Sequence, residues 1–182
     1  MKPEIKTEKA AITCLDMRIA VSVLICCLTA TLLNHFGVKF PLGEMRLEII
    51  QKMTACISWL LCCQDTTTVS KKAGINRLII TAVGGIVAIC VVALDNVFAN
   101  EWLMVLMVTA GVLLTLYFCK LAKVPYINAR IGGVTFILVA CTFAGNARIY
   151  YAVFRFISTF YAVLVVLLVT WVFEKFAGKK SA

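Results

Sequence analysis

Residues 78–94 read LIITAVGGIVAICVVAL, a run of 17 residues without a charged side chain that directly follows Arg77. A helix needs about 20 apolar residues, with a range near 17–25, to cross the hydrocarbon core of a bilayer. Five further stretches approach this length, of which 49–63 and 131–145 are the shortest; the others are 19–36, 102–119 and 156–173. The pattern predicts an all-α polytopic membrane protein with six transmembrane helices.

Composition supports this interpretation, because 62% of the 182 residues are hydrophobic and only 15% are charged. Soluble domains average roughly 45–50% apolar and about 25% charged residues. A soluble fold of this size has too much surface to hide so many apolar side chains. The composition therefore excludes an ordinary soluble enzyme, a disordered chain and a nucleic-acid-binding module. We expect the apolar side chains on the outside of the protein to contact the lipid bilayer.

The distribution of charge predicts the orientation. The net charge is +9, and the basic residues lie in short runs between the apolar stretches. Lys and Arg concentrate in the cytoplasmic loops of membrane proteins. With the N-terminus inside, 13 basic residues fall on the cytoplasmic side and 5 outside, the outer set being Lys39, Arg46, Lys52, Arg148 and Arg155. Both termini are therefore expected in the cytoplasm.

Neither the cysteines nor the acidic residues predict a metal site, a cofactor or a reaction. Eight of the nine cysteines lie in apolar stretches, the chain has a single His, and no CxxC pair occurs. A structural zinc site needs four Cys or His ligands at characteristic spacings. Reduced cysteines that pack among apolar neighbours are the expected state. With no paired acids and no nucleophile–base set in the apolar stretches, we expect no enzyme activity.

A shift of 78 residues aligns the two halves of the chain. Arg77 then meets Arg155, and Thr81 meets Thr159. The single six-helix domain, 1–182, divides into a first repeat of about 15–95 and a second of about 96–175. Three helices cross a membrane an odd number of times, so the two repeats are expected to be inverted, as in many transporters. Chance alignment of two apolar helices is the alternative.

The repeated Arg-x-x-x-Thr motif is the candidate substrate site. Residues four apart share one face of a helix, so Arg77 and Thr81 point the same way, as do Arg155 and Thr159. Each Arg precedes an apolar stretch, which places it at a predicted helix N-terminus, where backbone N–H groups favour an anion. The two arginines are then expected near opposite membrane faces. Alternatively, each Arg extends to the headgroups and each Thr bonds to its own helix.

Small residues follow the first motif on the same helix. Gly84, Gly85 and Ala88 lie near the face of Thr81, and small side chains allow a neighbouring helix to approach closely. We expect these three residues to serve helix packing.

The segment from Gln64 to Ser70, QDTTTVS, continues as KKAGINR to Arg77, then Thr81 and the two glycines. This order resembles the aromatic acid exporter family, which belongs with the fusaric-acid-resistance proteins. The second Arg-x-x-x-Thr and the start Asp-Met-Arg at 16–18 are also similar to that family. Ile80 stands where the family has Gly. Many members carry a soluble region after six helices, so the likeness is to a short, membrane-only form.

The resemblance implies a transporter that exports aromatic or other organic acid anions across a bacterial cytoplasmic (inner) membrane, as a homo-oligomer such as a dimer. The substrate-binding residues that it implies are Arg77, Thr81, Arg155, Thr159, Gln64 and Ser70. Two alternatives stay open. One is a passive anion channel formed by a dimer, since no acid is expected at mid-membrane. The other is a non-transporting subunit beside an accessory partner, since no soluble region follows the predicted helices.

Overall fold

The structure is a computed structural model that describes residues 14–37, 39–42, 45–64, 66–98, 100–143, 145 and 147–178. Asp65 and the terminal lysines counted above, at 2, 6, 9, 179 and 180, lie outside these residues. The described part contains six helices and one hairpin. They are α1 (Cys14–His35), β1 (Lys39–Leu42), β2 (Met45–Glu48), α2 (Lys52–Cys62), α3 (Thr67–Phe98), α4 (Glu101–Leu121), α5 (Tyr126–Thr142) and α6 (Ala147–Gly178).

Four of the described helices are long and apolar enough to cross a membrane: Leu15–His35, Thr67–Phe98, Trp102–Leu121 and Ala147–Lys175. The predicted all-helical fold is confirmed, and by length and composition these four helices could span a membrane. The remaining two helices, α2 and α5, contain 11 and 17 residues. At 1.5 Å per residue, α2 is about 16 Å long, roughly half the thickness of a hydrocarbon core.

The longest helices, α3 and α6, begin well before the apolar stretches that predict them. Each contains 32 residues, starting at Thr67 and Ala147 rather than at the predicted 78 and 156. Hydropathy marks only the length of helix that suits lipid, whereas polar residues such as Lys71 and Lys72 continue the same helix. Each of the two helices is about 48 Å long, which exceeds the thickness of a hydrocarbon core.

Nothing in the sequence pattern predicted the β1–β2 hairpin. Its strands pair antiparallel, from Lys39 opposite Glu48 to Leu42 opposite Met45. The Phe40 ring packs on the rings of Tyr150 and Phe154, at centroid distances of 5.3 and 5.5 Å. Each strand has only four residues and β1 contains Pro41, so neither strand gives a recognisable β signal in the sequence.

An antiparallel pair, α3 and α6, forms the centre of the bundle. At one end, the Thr67 hydroxyl donates to the Glu174 carboxylate at 2.6 Å. At the other end, Arg148 and Asp95 form an ion pair at 2.7 Å. Helices α4 and α5 pack on α3, and helices α1 and α2 pack on α6. These end contacts fix the register in which every residue of the pair faces its neighbour.

The predicted small-residue stripe divides between packing and open space. A Cβ atom on Gly84 would lie 2.7 Å from the Gly132 carbonyl oxygen, so α3 and α5 approach closely there. Ala88 is fully buried beside Val87, Phe136 and other apolar side chains. Gly85 differs, because an added Cβ would meet no atom within 4 Å. Two members of the stripe therefore pack, and the third faces a groove.

Gly84→Ala should destabilise the bundle, whereas Gly85→Ala should not. The first substitution forces α3 away from the Gly132 carbonyl, and overpacking of this kind costs about 1–3 kcal/mol. The second adds a methyl group to open space. Thermal unfolding in detergent, followed by tryptophan fluorescence, should show a lower Tm for Gly84→Ala alone. Equal Tm values for the two variants would contradict the close approach of α3 and α5.

Candidate functional site

Both arginines of the repeated motif lie inside the bundle. Arg77 is the eleventh residue of α3 and Arg155 the ninth residue of α6, so the predicted position at helix N-termini is wrong. Their side chains are only 4% and 5% exposed. The helices start two to three turns earlier than hydropathy indicates, and this brings both guanidinium groups among packed side chains.

The register of α3 and α6 places the two arginines on either side of the middle of the pair. Thr67 contacts Glu174 and Asp95 contacts Arg148, so Arg77 lies level with residues near 165 of α6. About ten residues, or roughly 15 Å along the axis, then separate Arg77 from Arg155. The two arginines therefore lie on either side of the middle of the α3–α6 pair, one toward each end of the bundle.

One short helix, α2, provides hydrogen-bond acceptors for both arginines. The Arg77 Nε lies 3.5 Å from the Ser58 Oγ, and the Arg155 Nη1 lies 3.2 Å from the Thr54 Oγ1. The same Nη1 also lies 3.2 Å from the Tyr151 hydroxyl oxygen. Since Thr54 and Ser58 are four residues apart, they occupy one face of α2. Helix α2 thus joins the two arginines into one polar centre.

Sequence reasoning did not identify Thr54, Ser58 or Tyr151. A usable signal exists, because Gln51, Thr54 and Ser58 recur at three- and four-residue spacing in a stretch whose other residues, apart from Lys52, are apolar. The structure buries Thr54 and Ser58 almost completely. The Thr54 hydroxyl also donates a hydrogen bond to the Gln51 side-chain oxygen at 2.9 Å. Thr54 therefore has a second side-chain partner besides Arg155.

Positive charge in this centre is not balanced by the carboxylates that the structure describes. Asp95 pairs with Arg148, Glu174 accepts from Thr67, and Glu48 accepts from Asn34. Among the described side chains, the Arg77 Nη1 and the Arg155 Nε are buried without a hydrogen-bond partner. An unpaired buried ion costs several kcal/mol even after relaxation. The centre is consequently suited to binding an anion.

The threonines of the motif serve their own helices. The Thr81 hydroxyl donates to the Arg77 carbonyl, and the Thr159 hydroxyl donates to the Arg155 carbonyl, both at 2.9 Å. Both hydroxyl protons are therefore engaged in hydrogen bonds within their own helices. This agrees with the alternative interpretation of the motif, in which each Thr bonds to its own helix. The Thr-to-Arg hydrogen bond is the same in both copies of Arg-x-x-x-Thr, so the motif has the same local structure in α3 and α6.

Gln64 and Ser70 are not brought to the arginines. The Gln64 backbone N–H donates to the Ser70 Oγ at 3.0 Å, which closes the turn between α2 and α3. Ser70 lies two turns, about 10 Å, before Arg77 on α3. These two residues therefore shape the connection between the helices, and any contact with a substrate at the arginines is made by other side chains.

Two cavities adjoin the polar centre. A groove of about 270 Å³ lies between α3 and α6, and its wall is almost entirely apolar, including Thr81, Gly85, Ala152 and Phe156. A smaller cavity of about 30 Å³ is lined by Arg77 and Asn128 together with apolar side chains. The smaller space is large enough for about one or two waters. The groove approaches the volume of small-molecule sites and provides an apolar surface one helical turn from Arg77.

Replacing a buried arginine by an apolar side chain should stabilise the fold. Arg77→Met removes an unpaired charge while keeping much of the volume, and comparable replacements of buried ions often stabilise by about 1–4 kcal/mol. Arg148→Met is the matched control, because it removes a paired arginine and leaves Asp95 unpaired. We expect a higher Tm for Arg77→Met and an unchanged or lower Tm for Arg148→Met in detergent. A lower Tm for Arg77→Met would argue against an uncompensated charge.

No protein-family model, curated protein or solved structure matches this chain. The likeness to aromatic acid exporters consequently depends on the residues quoted from the sequence alone. The geometry of Arg77, Arg155 and α2 does not depend on that likeness, and it provides separate support for a function.

Proposed function

We propose that the chain is a transporter that exports aromatic or other organic acid anions across the cytoplasmic membrane of a bacterium. The observation that carries the proposal is the polar centre, where two buried guanidinium groups lack a carboxylate partner among the described residues. A bound carboxylate supplies the missing negative charge and accepts the N–H groups that are left over. Arg suits this role because its planar fork matches a carboxylate.

The surroundings of the arginines favour an organic anion over a simple ion. The groove between α3 and α6 gives an aromatic ring an apolar surface along Ala152 and Phe156, beside the motif residue Thr81. In this proposal the ring of the substrate lies in the groove, and its carboxylate binds the guanidinium group of Arg77 one helical turn away. This division of roles, with an apolar wall and a few polar groups, is typical of small-molecule sites.

The packing of the helices supports a six-crossing membrane domain made of two inverted repeats. Helix α3 packs on α4 and α5, and α6 packs on α1 and α2, as a repeat that equates α1 with α4 and α2 with α5 requires. The antiparallel direction of α3 and α6 agrees with inversion. In this proposal α2 spans part of the bilayer, and buried irregular residues beside it, such as Cys63, complete the crossing.

Contacts at one end of the bundle support cytoplasmic termini. Arg18 of α1 lies over the Phe173 ring of α6, with 5.7 Å between the guanidinium carbon and the ring centroid. The start of α1 and the end of α6 therefore lie together. Removing Arg77 and Arg155 from the loop count takes one basic residue from each side and leaves the positive bias at this end unchanged.

A liposome flux assay tests the proposal. We expect benzoate efflux from vesicles with the reconstituted protein and at least about a tenfold loss in Arg77→Gln and Arg155→Gln, because a hydrogen bond to a charged group contributes about 1.5–3 kcal/mol. Arg148→Gln is the control, since this arginine is already paired with Asp95, and it should retain flux. Benzyl alcohol, a neutral compound of similar shape, should compete poorly. Equal flux in all three variants would overturn the assignment of Arg77 and Arg155.

A passive anion channel formed by a dimer is the second candidate. It is favoured by the polar centre itself, because Asp95, Glu174 and Glu48 each bond to groups outside this centre. The same vesicles distinguish the two, because a channel conducts anions equally with and without a pH gradient. Flux that depends on the gradient supports the transporter. Protein that folds and carries no anion would indicate the non-transporting subunit of a larger complex.

A further inference from the structure

Two cysteines on neighbouring helices have their sulfur atoms in contact. The Sγ of Cys27 on α1 lies 3.6 Å from the Sγ of Cys56 on α2, and the two residues are 29 positions apart in the chain. Both side chains are partly exposed, whereas the adjacent Cys26 is fully buried. The buried Cys26 thiol also interacts with the Cys56 thiol.

We propose that Cys27 and Cys56 are an oxidation site at which a peroxide forms a disulfide between α1 and α2. A disulfide requires the sulfur atoms at about 2.05 Å, so the pair closes by roughly 1.5 Å. Two S–H bonds and the O–O bond of one peroxide molecule break, and one S–S bond forms. With hydrogen peroxide, the two thiol hydrogens form new O–H bonds to its two OH groups, and two molecules of water leave, which balances the reaction.

The position of the pair favours oxidation over metal binding. Among the described residues, no group of three His, Cys, Asp or Glu side chains is placed to hold a metal ion. Partial exposure gives a small uncharged oxidant access to Cys27 and Cys56, while Cys26 is shielded by its neighbours. The partner thiol is already in contact, so an oxidised Cys27 or Cys56 is captured as a disulfide before further oxidation.

The disulfide would act on the helix that holds the polar centre. Cys56 lies between Thr54 and Ser58 on α2, the two residues whose hydroxyl oxygens contact Arg155 and Arg77. A covalent bond to α1 restricts any movement of α2 relative to the arginines. This consequence rests on the proposed transport function, whereas the formation of the disulfide does not.

Thiol counting tests the site directly. The purified, reduced protein is treated with hydrogen peroxide, blocked with N-ethylmaleimide and analysed by mass spectrometry. We expect two fewer alkylated thiols and a cross-linked peptide pair joining Cys27 to Cys56, both lost in Cys27→Ser and Cys56→Ser and kept in Cys26→Ser. Cys90→Ser, at an exposed position on α3, is the matched control and should retain the cross-link.

Three outcomes would overturn the assignment: no loss of alkylated thiols, a cross-link from Cys26 to Cys56, or higher oxidation of single cysteines without a cross-link.

Benzoate flux then tests the effect of the disulfide on transport. Peroxide should lower the flux several-fold in the wild type, a reductant should restore it, and Cys27→Ser should be insensitive. A disulfide without a change in flux would refute only the effect on α2, and an absence of flux under all conditions would refute the proposed function alone.

Discussion

The burial of two guanidinium groups is the constraint on which the rest of the bundle depends. Arg77 and Arg155 each lie about a third of the way along a 32-residue helix, and Asp95, Glu174 and Glu48 bond to groups outside the polar centre. Such charges are tolerated in an apolar bundle only where other groups solvate them. Here hydroxyl oxygens from α2 and α6 supply part of that solvation, and the Arg77 Nη1 and the Arg155 Nε are left without a partner among the described residues.

Helix α2 is the element that makes one site from two motifs. It is the shortest helix, yet Thr54 and Ser58 on its buried face contact the arginines of both long helices. Gln51 at its start receives a hydrogen bond from Thr54 and donates its backbone N–H to Ser158 of α6 at 2.9 Å. These contacts link α2 to α6. Because Thr54 and Ser58 also contact the two arginines, a change in the position of α2 alters the surroundings of both guanidinium groups.

Much of the fold could be predicted from the sequence, and the differences have physical causes. The six apolar stretches correspond to six helices because apolar length is a local property of the chain. The starts of α3 and α6 were misplaced, since polar residues prolong a helix without changing its hydropathy signal. The hairpin at 39–48 was missed because its contact with Tyr150 and Phe154 is made only in the folded bundle. The resemblance to aromatic acid exporters and the transport function stay predictions.

The sequence by itself determined the helical, apolar character of this protein, the recurrence of Arg-x-x-x-Thr and the close packing expected of Gly84. Composition and residue spacing can be read from the chain itself, without knowing which residues come into contact in the fold. Only the tertiary structure decided that both arginines lie near the centre, that Thr54 and Ser58 contact them, and that Cys27 meets Cys56. Those relations join residues far apart in the chain, and they follow from the antiparallel register of α3 and α6 and from the position of α2, which no local pattern encodes.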